Sequence, residues 1–126
     1  MTELASGSVV ICELEPAKGS EMKKRRPVVV LEPGLHSRLG LFIAVPVTEG
    51  KGKGPPAFVP IPEAELSTAG LSKSSVVNPY QIRCMSRERI VEHSGTVSEG
   101  VLSAIKRYLV LVLDIHEEHF ELWPTY

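Results

Sequence analysis

Arg26, Glu21 and Thr48 are the side chains whose types and settings could act on a phosphate. Arg26 stands directly before Pro27, and a residue before proline is biased toward extended backbone, so its guanidinium is launched from a strand mouth rather than from a floppy loop. The planar fork of donors on an arginine can hold two phosphate oxygens at once. Glu21 lies among Lys18, Lys23, Lys24 and Arg25, cations that favour an ionised carboxylate and equip it as a base or as an orienting partner for Arg26. Thr48 follows Val45-Pro46-Val47 at the end of an apolar run, where a hydroxyl could donate to a phosphate oxygen. Lys51 and Lys53 come next, in a stretch with glycines at 50, 52 and 54, and could hold the flanking backbone. Such a set suits RNA, whose 2′-hydroxyl is a built-in nucleophile. Cleavage then needs alignment, a proton acceptor and charge stabilisation at the phosphate, with no metal or other cofactor required. Each residue also has a plainer reading, as a solvated loop charge or a turn threonine, and residue type alone leaves both open.

Other candidate chemistries are weaker. The glycines at 50, 52 and 54 lack Walker spacing and no helical pattern follows them, which argues against a nucleotide-binding P-loop. His116 and His119 flank Glu117-Glu118 at a spacing a metal could use on a helix, but a polar terminal segment with no third ligand reads as a solvated tail. His36 and His93 read as loop histidines. Arg83, Arg87 and Arg89 could extend an RNA-binding face or be ordinary exposed charges. Phe120, Trp123 and Tyr126 could stack bases or pack near the chain end. Cys12 and Cys84 have no close Cys or His partner at zinc spacing, so both are expected to be reduced core thiols in the cytosol.

These residues need a scaffold, and the 126-residue chain, 43% hydrophobic, is long enough for one core, so residues 1–126 are expected to form a single domain. The longest apolar stretch, Tyr108 to Leu113, is too short to span a bilayer, and the N-terminus lacks a basic region followed by an apolar run. A cytoplasmic protein without a membrane partner is expected. The net charge of −1 speaks against coating nucleic acid by bulk charge, yet five of the 14 basic residues crowd into the segment from Lys18 to Arg26.

The pattern predicts a first strand over Ser8–Leu14, a polar loop, and a central strand at Val28–Leu31 too apolar to face water on either side. A third strand is expected over Gly40–Pro46, an edge strand over Ala57–Ile61 because of Pro60 and Pro62, and further strands at Ser75–Val77, Tyr80–Cys84 and Arg89–Glu92. Thr96, three residues before Glu99, matches a capping box, and Val101, Leu102, Ile105, Tyr108, Leu109 and Val112 follow at helical spacing. Since Tyr108 to Leu113 is apolar all round, that part of the helix should be covered by the sheet or by a second copy of the chain. The expected class is mostly β (α+β), a small antiparallel β-barrel with a C-terminal α-helix.

The stretch Pro16-Ala-Lys-Gly-Ser-Glu-Met-Lys-Lys-Arg-Arg-Pro-Val-Val-Val-Leu31 resembles the signature of MazF/PemK toxins, in which a Gly-x-Glu loop leads into Arg-Pro and an apolar strand. Val45-Pro46-Val47-Thr48 is similar to the family's next motif. Gly70-Leu71, Ser75-Val76-Val77, Gln81-Ile82-Arg83 and Gly95 before a helix recur in the family's order. The resemblance implies an SH3-like barrel, a homodimer, and sequence-selective, metal-independent cleavage of single-stranded RNA to a 2′,3′-cyclic phosphate and a 5′-hydroxyl. It also implies neutralisation by a separately encoded antitoxin. It makes Arg26 the catalytic arginine, Thr48 the phosphate-contacting threonine and Glu21 an acidic loop position used by some members. Lys18, Ser20, Lys23, Lys24, Arg25, Lys51, Lys53, Gln81 and Arg83 form the expected RNA-binding set. The chain departs from the family pattern at Glu49, where members often carry a second Ser or Thr, and at Asn78 and Tyr80, where the PemK branch has Arg and Asp. The usual Thr and Asp near Cys84 to Ser86 are missing too. The alternatives are a gyrase-binding poison resembling the CcdB toxins, which share this barrel, and a catalytically silent RNA-binding barrel.

Overall fold

The structure is a computed structural model that describes residues 4–35, 39–50 and 58–121. Its strands are β1 (Ser8–Glu13), β2 (Arg25–Glu32), β3 (Leu41–Glu49), β4 (Val59–Pro60), β5 (Ser75–Val77), β6 (Arg83–Ser86) and β7 (Ile90–Thr96). Helix α1 (Glu99–Val112) follows them, and the short α2 (Glu117–Glu121) comes last. All pairings are antiparallel, in the order β4-β5-β3-β2-β1-β7, with β6 also paired to β3. The path begins at β4 and ends at β7, so the expected SH3-like arrangement is an open antiparallel sheet rather than a fully closed ring. No helix among the described residues is long and apolar enough to cross a membrane.

Alternation along β1, β2 and β3 splits their side chains between two clusters, because successive residues of a strand point to opposite faces. Val9, Val29, Val45 and Val47 join Val101, Leu102, Ile105 and Leu109 of α1 on one face. Val10, Cys12, Leu14, Val28, Val30, Phe42 and Ala44 join Met85 of β6 on the other. The apolar run of β2 is thus buried on both sides, as its composition predicts. The edge strand expected around Pro60 is present but is only two residues long, paired to β5 alone.

Several boundaries differ from the sequence reading for physical reasons. β3 runs on to Glu49, so Thr48 lies within a strand rather than after one. Buried Asn78 accepts the Tyr80 N–H through Oδ1 at 3.1 Å, which turns Pro79–Gln81 into a 3-10 turn where a strand was expected from Tyr80. The helix cap is Ser98, whose Oγ accepts the Val101 N–H at 3.2 Å, in place of the expected Thr96 box. Thr96 belongs to β7, and its hydroxyl donates to the Gly7 carbonyl at 3.2 Å. At the far end of α1, Leu109 is buried but Val110, Leu111 and Leu113 remain exposed, so the sheet covers only part of the apolar stretch.

Cys12 is fully buried, whereas Cys84 is exposed, which corrects its expected core position. Burial pushes the Cys12 thiol up from 9.0 to about 11, against a smaller opposing pull from the positive charges of Arg89 and Arg83. In the unfolded chain the thiol would ionise near its ordinary value while the folded protein still holds the proton. Stability should therefore decline as pH rises from about 9 to about 11, and denaturant titrations of Cys12→Ala should lack that component. A thiol reagent at neutral pH should modify Cys84 promptly and Cys12 only upon unfolding.

Gly95 in β7 meets the turn at residues 66–70, where an added Cβ would collide with the Thr68 carbonyl and the Ala69 backbone. Gly95→Ala should therefore cost about 1–3 kcal/mol in denaturant unfolding, as overpacking does. Gly100→Ala, in the first turn of α1 with only ordinary contact to Ser98, should be neutral or stabilising by up to ~1 kcal/mol.

Candidate active site

β2 and β3 part company where their prolines fall. Their ladder pairs Val30 with Ala44, Val29 with Val45 and Val28 with Pro46. Beyond that point β2 stays with β1 as far as the Arg25–Glu13 pair, while β3 pairs with β5 through Val47, Thr48 and Glu49. Neither Pro27 nor Pro46 has an N–H to donate, and the Pro46 carbonyl accepts from Asn78 N at 2.9 Å. The gap between the diverging strands is a groove of about 280 Å³ lined by Arg25, Arg26, Pro27, Val47, Thr48 and Glu49, with Leu71, Ser72 and Lys73 among the residues facing them. Carried two residues past Val28–Pro46, the ladder register would set Arg26 opposite Thr48. Both side chains line this groove, though 21 residues separate them in the chain.

Arg26 is half-buried, and its Nε donates to the Lys23 carbonyl at 3.0 Å. That bond aims the guanidinium, and its terminal nitrogens have no hydrogen-bond partner among the described residues. The Thr48 hydroxyl likewise has none. Glu49, the family departure, reaches toward Lys73 with Oε1 3.6 Å from Nζ, both side chains 70% exposed. An ion pair so open to water contributes only ~0–1 kcal/mol. Lys73 carried no signal in the sequence beyond its type, because only folding brings residues 70–75 against Arg26.

Glu21 sits in a neighbouring cavity of about 500 Å³ with Ser20, Met22, Tyr80, Gln81 and Arg83, floored by Val28 and Pro46. The two floor residues lie two positions along the same strands from Arg26 and Thr48, roughly 7 Å away at the rise of a strand. Glu21 Oε1 accepts the Lys18 N–H at 2.5 Å, so part of the carboxylate ties its own loop. Gln81, expected to touch RNA, spends both ends of its amide on the protein: Oε1 accepts from Met22 N at 2.7 Å and Nε2 donates to the Ser20 carbonyl at 3.2 Å. It fastens the cationic loop to the turn before β6.

Lys18, Ser20, Lys23, Lys24 and Arg25 are exposed along that loop. Lys24 N donates to Glu15 Oε1 at 3.2 Å, and Arg25 Nε lies 3.4 Å from Glu13 Oε2. Arg89 donates to the Glu13 and Glu15 carbonyls at 2.9 and 2.8 Å, and Arg87 to the Pro33 carbonyl, so these two arginines brace loops. His116 bonds Asp114 at 2.7 Å, while His119 Nδ1 accepts the His116 N–H at 2.8 Å. Phe120 is exposed. Lys51, Lys53, His36, Trp123 and Tyr126 lie outside the described residues.

Residues 5–113 match the model of the PemK-like, MazF-like toxins of type II toxin–antitoxin systems. The chain is 32% identical over 115 residues to endoribonuclease MazF9 of Mycobacterium tuberculosis, covering 86% of this chain and 95% of that protein. The crystal structure of MazF from Deinococcus radiodurans superposes with a TM-score of 0.75 at 30% identity, over 91% of this chain and all of that one (100%). A MazE–MazF structure from the same organism gives 0.70, again at 30% identity, over 91% of this chain and 100% of that one.

Because Gln81 anchors the loop through two hydrogen bonds, Gln81→Leu should free it. Limited trypsin digestion should then cut the Lys18–Arg26 segment several-fold faster, with little change in global melting.

Proposed function

This chain belongs to the PemK-like, MazF-like toxins of type II toxin–antitoxin systems, whose relatives are endoribonucleases, and from that premise we propose that it cleaves single-stranded RNA without a metal at the groove between β2 and β3. The observation that carries this reading is the convergence of Arg26 and Thr48 on one groove with uncommitted donors. A phosphodiester lying there meets the Arg26 guanidinium, whose terminal nitrogens bind two oxygens, and the Thr48 hydroxyl, which donates to one. The 2′-oxygen of the RNA attacks phosphorus as the bond to the 5′-oxygen breaks, leaving a 2′,3′-cyclic phosphate and a 5′-hydroxyl. The 2′ proton passes to a base, and the departing oxygen acquires one.

Glu21, through the Oε2 that makes no hydrogen bond among the described residues, is the carboxylate this reading assigns to the 2′ proton. Arg83, Tyr80 and Ser20 in the adjoining cavity contact the neighbouring nucleotide, and the exposed Lys18, Lys23, Lys24 and Arg25 follow the backbone. Cleavage of mRNA by such a groove would stop translation. A separately encoded antitoxin is the protein partner in this reading, by analogy with the MazE–MazF assembly of the Deinococcus relative. A homodimer accounts for the exposed Val110, Leu111 and Leu113.

Incubation of the protein with a long single-stranded RNA in excess EDTA should give cleavage at a short recurring motif with 5′-hydroxyl ends. Arg26→Ala should lower the rate by about 10²–10³, the loss expected for removing one transition-state donor, with its melting temperature unchanged. Arg26→Lys should restore little, since an ammonium cannot hold two oxygens in one plane. RNA left intact beside an active control nuclease would turn the reading to a silent RNA-binding barrel or a gyrase-binding poison.

A further inference from the structure

Resting on the nuclease reading of the same groove, we infer that it is a two-walled phosphate clamp in which Lys73 is the second cation and Glu49 is a resident counterion that RNA displaces. Arg25 and Arg26 stand on the β2 side of the groove, and Ser72 and Lys73 stand on the facing segment. Between them, at the end of β3, Glu49 holds its carboxylate 3.6 Å from the Lys73 ammonium. A carboxylate there occupies the charge position that a phosphate of a bound strand would take.

The wall carrying Lys73 is built by the fold. Gly70 is wedged against Ser94, whose hydroxyl donates to the Ala69 and Gly70 carbonyls at 3.2 Å. On the other side of Lys73, the Ser74 carbonyl accepts from Gly50 N at 2.9 Å, and the buried Ser75 hydroxyl donates to the Lys73 carbonyl at 2.7 Å. The backbone is therefore held while the side chain, 70% exposed like that of Glu49, is free to change partners. Exchange costs little because a pair so open to water is weak. A phosphodiester between the walls meets the terminal nitrogens of Arg26 from one side and Lys73 from the other, and Glu49 turns out to solvent. In the free protein the same carboxylate screens the groove against stray polyanions, consistent with a net charge of −1 around a cationic site.

The test is the salt dependence of binding of a mixed-sequence single-stranded oligonucleotide with every 2′-hydroxyl methylated, which the nuclease cannot cut, followed by fluorescence anisotropy with the full chain. Lys73→Ala should weaken binding several-fold and make the plot of log affinity against log salt shallower by about 0.7, the value for one lost phosphate contact on a single strand. Glu49→Gln should tighten binding several-fold. In the Lys73→Ala background the same substitution should have no effect, because the counterion no longer has a cation to release. If Glu49→Gln tightens binding equally with and without Lys73, it acts by bulk charge and the inference is overturned; an unchanged slope for Lys73→Ala overturns it as well. Should Arg26→Ala abolish cleavage of ordinary RNA while both Lys73 results fail, the nuclease reading stands and only the clamp falls. Failure of the unsubstituted protein to bind the oligonucleotide while it still cuts ordinary RNA would bring down the clamp alone; failure to do either would bring down both.

Discussion

The structure turns on the point where β2 and β3 stop pairing. An antiparallel ladder is continuous only while each strand offers donors and acceptors to the other. At Val28 and Pro46 that supply ends: Pro46 has no N–H, and its carbonyl is taken by Asn78. β3 then turns to β5, β2 keeps β1, and the space between them has walls of ordered backbone. A site formed from diverging strands has side chains launched from hydrogen-bonded backbone, which suits a reaction that depends on alignment. The departure at Asn78 belongs to the same device, since its side chain caps the turn that presents Tyr80 and Gln81 to the adjoining cavity.

Charge in this molecule is arranged by pairing. Glu13 faces Arg25 and Glu49 faces Lys73, while Glu15 and Glu21 place carboxylates beside the cationic loop by accepting the backbone N–H groups of Lys24 and Lys18. A nearly neutral chain can in this way carry a cationic loop without a standing attraction for every polyanion. Arg26 has no carboxylate partner among the described residues. Its Nε is spent on a carbonyl, which neutralises nothing, so its full positive charge is presented to the groove. The left-handed backbone of Lys24, with φ at 64°, makes the tight return that sends Arg25 and Arg26 into β2, and the Lys24 carbonyl closes that return by accepting from Leu14 N at 2.9 Å.

Much of the fold could be read from pattern alone. The doubly buried β2, the edge strand at Pro60 and the helical spacing from Val101 to Leu109 are local consequences of apolar periodicity and proline chemistry, and these elements are present. The catalytic candidates were legible for a similar reason: Arg26 before Pro27 and Thr48 after Val-Pro-Val announce themselves by neighbours in the chain, as does the family likeness that those motifs carry. What failed was decided by competition between nearby groups. Ser98 and Thr96 are both good caps, and Thr96 lost because its backbone is spent on β7 and its hydroxyl on Gly7. Cys84 looked like a core thiol, but in β6 it falls on the outward side opposite buried Met85.

By itself, then, the sequence determined most of the strands, where the terminal helix lies, and that a guanidinium and a hydroxyl stand near strand ends. Tertiary structure alone decided their company. It brought Lys73 and Glu49 to the groove with Arg26, assigned Glu21 to the next cavity, and set the side chains of Gln81, Arg87 and Arg89 against backbone groups of the protein. The reason is physical: periodicity and capping act between residues a few positions apart, whereas the partner a long polar side chain takes depends on which backbone groups and charges folding sets within its reach.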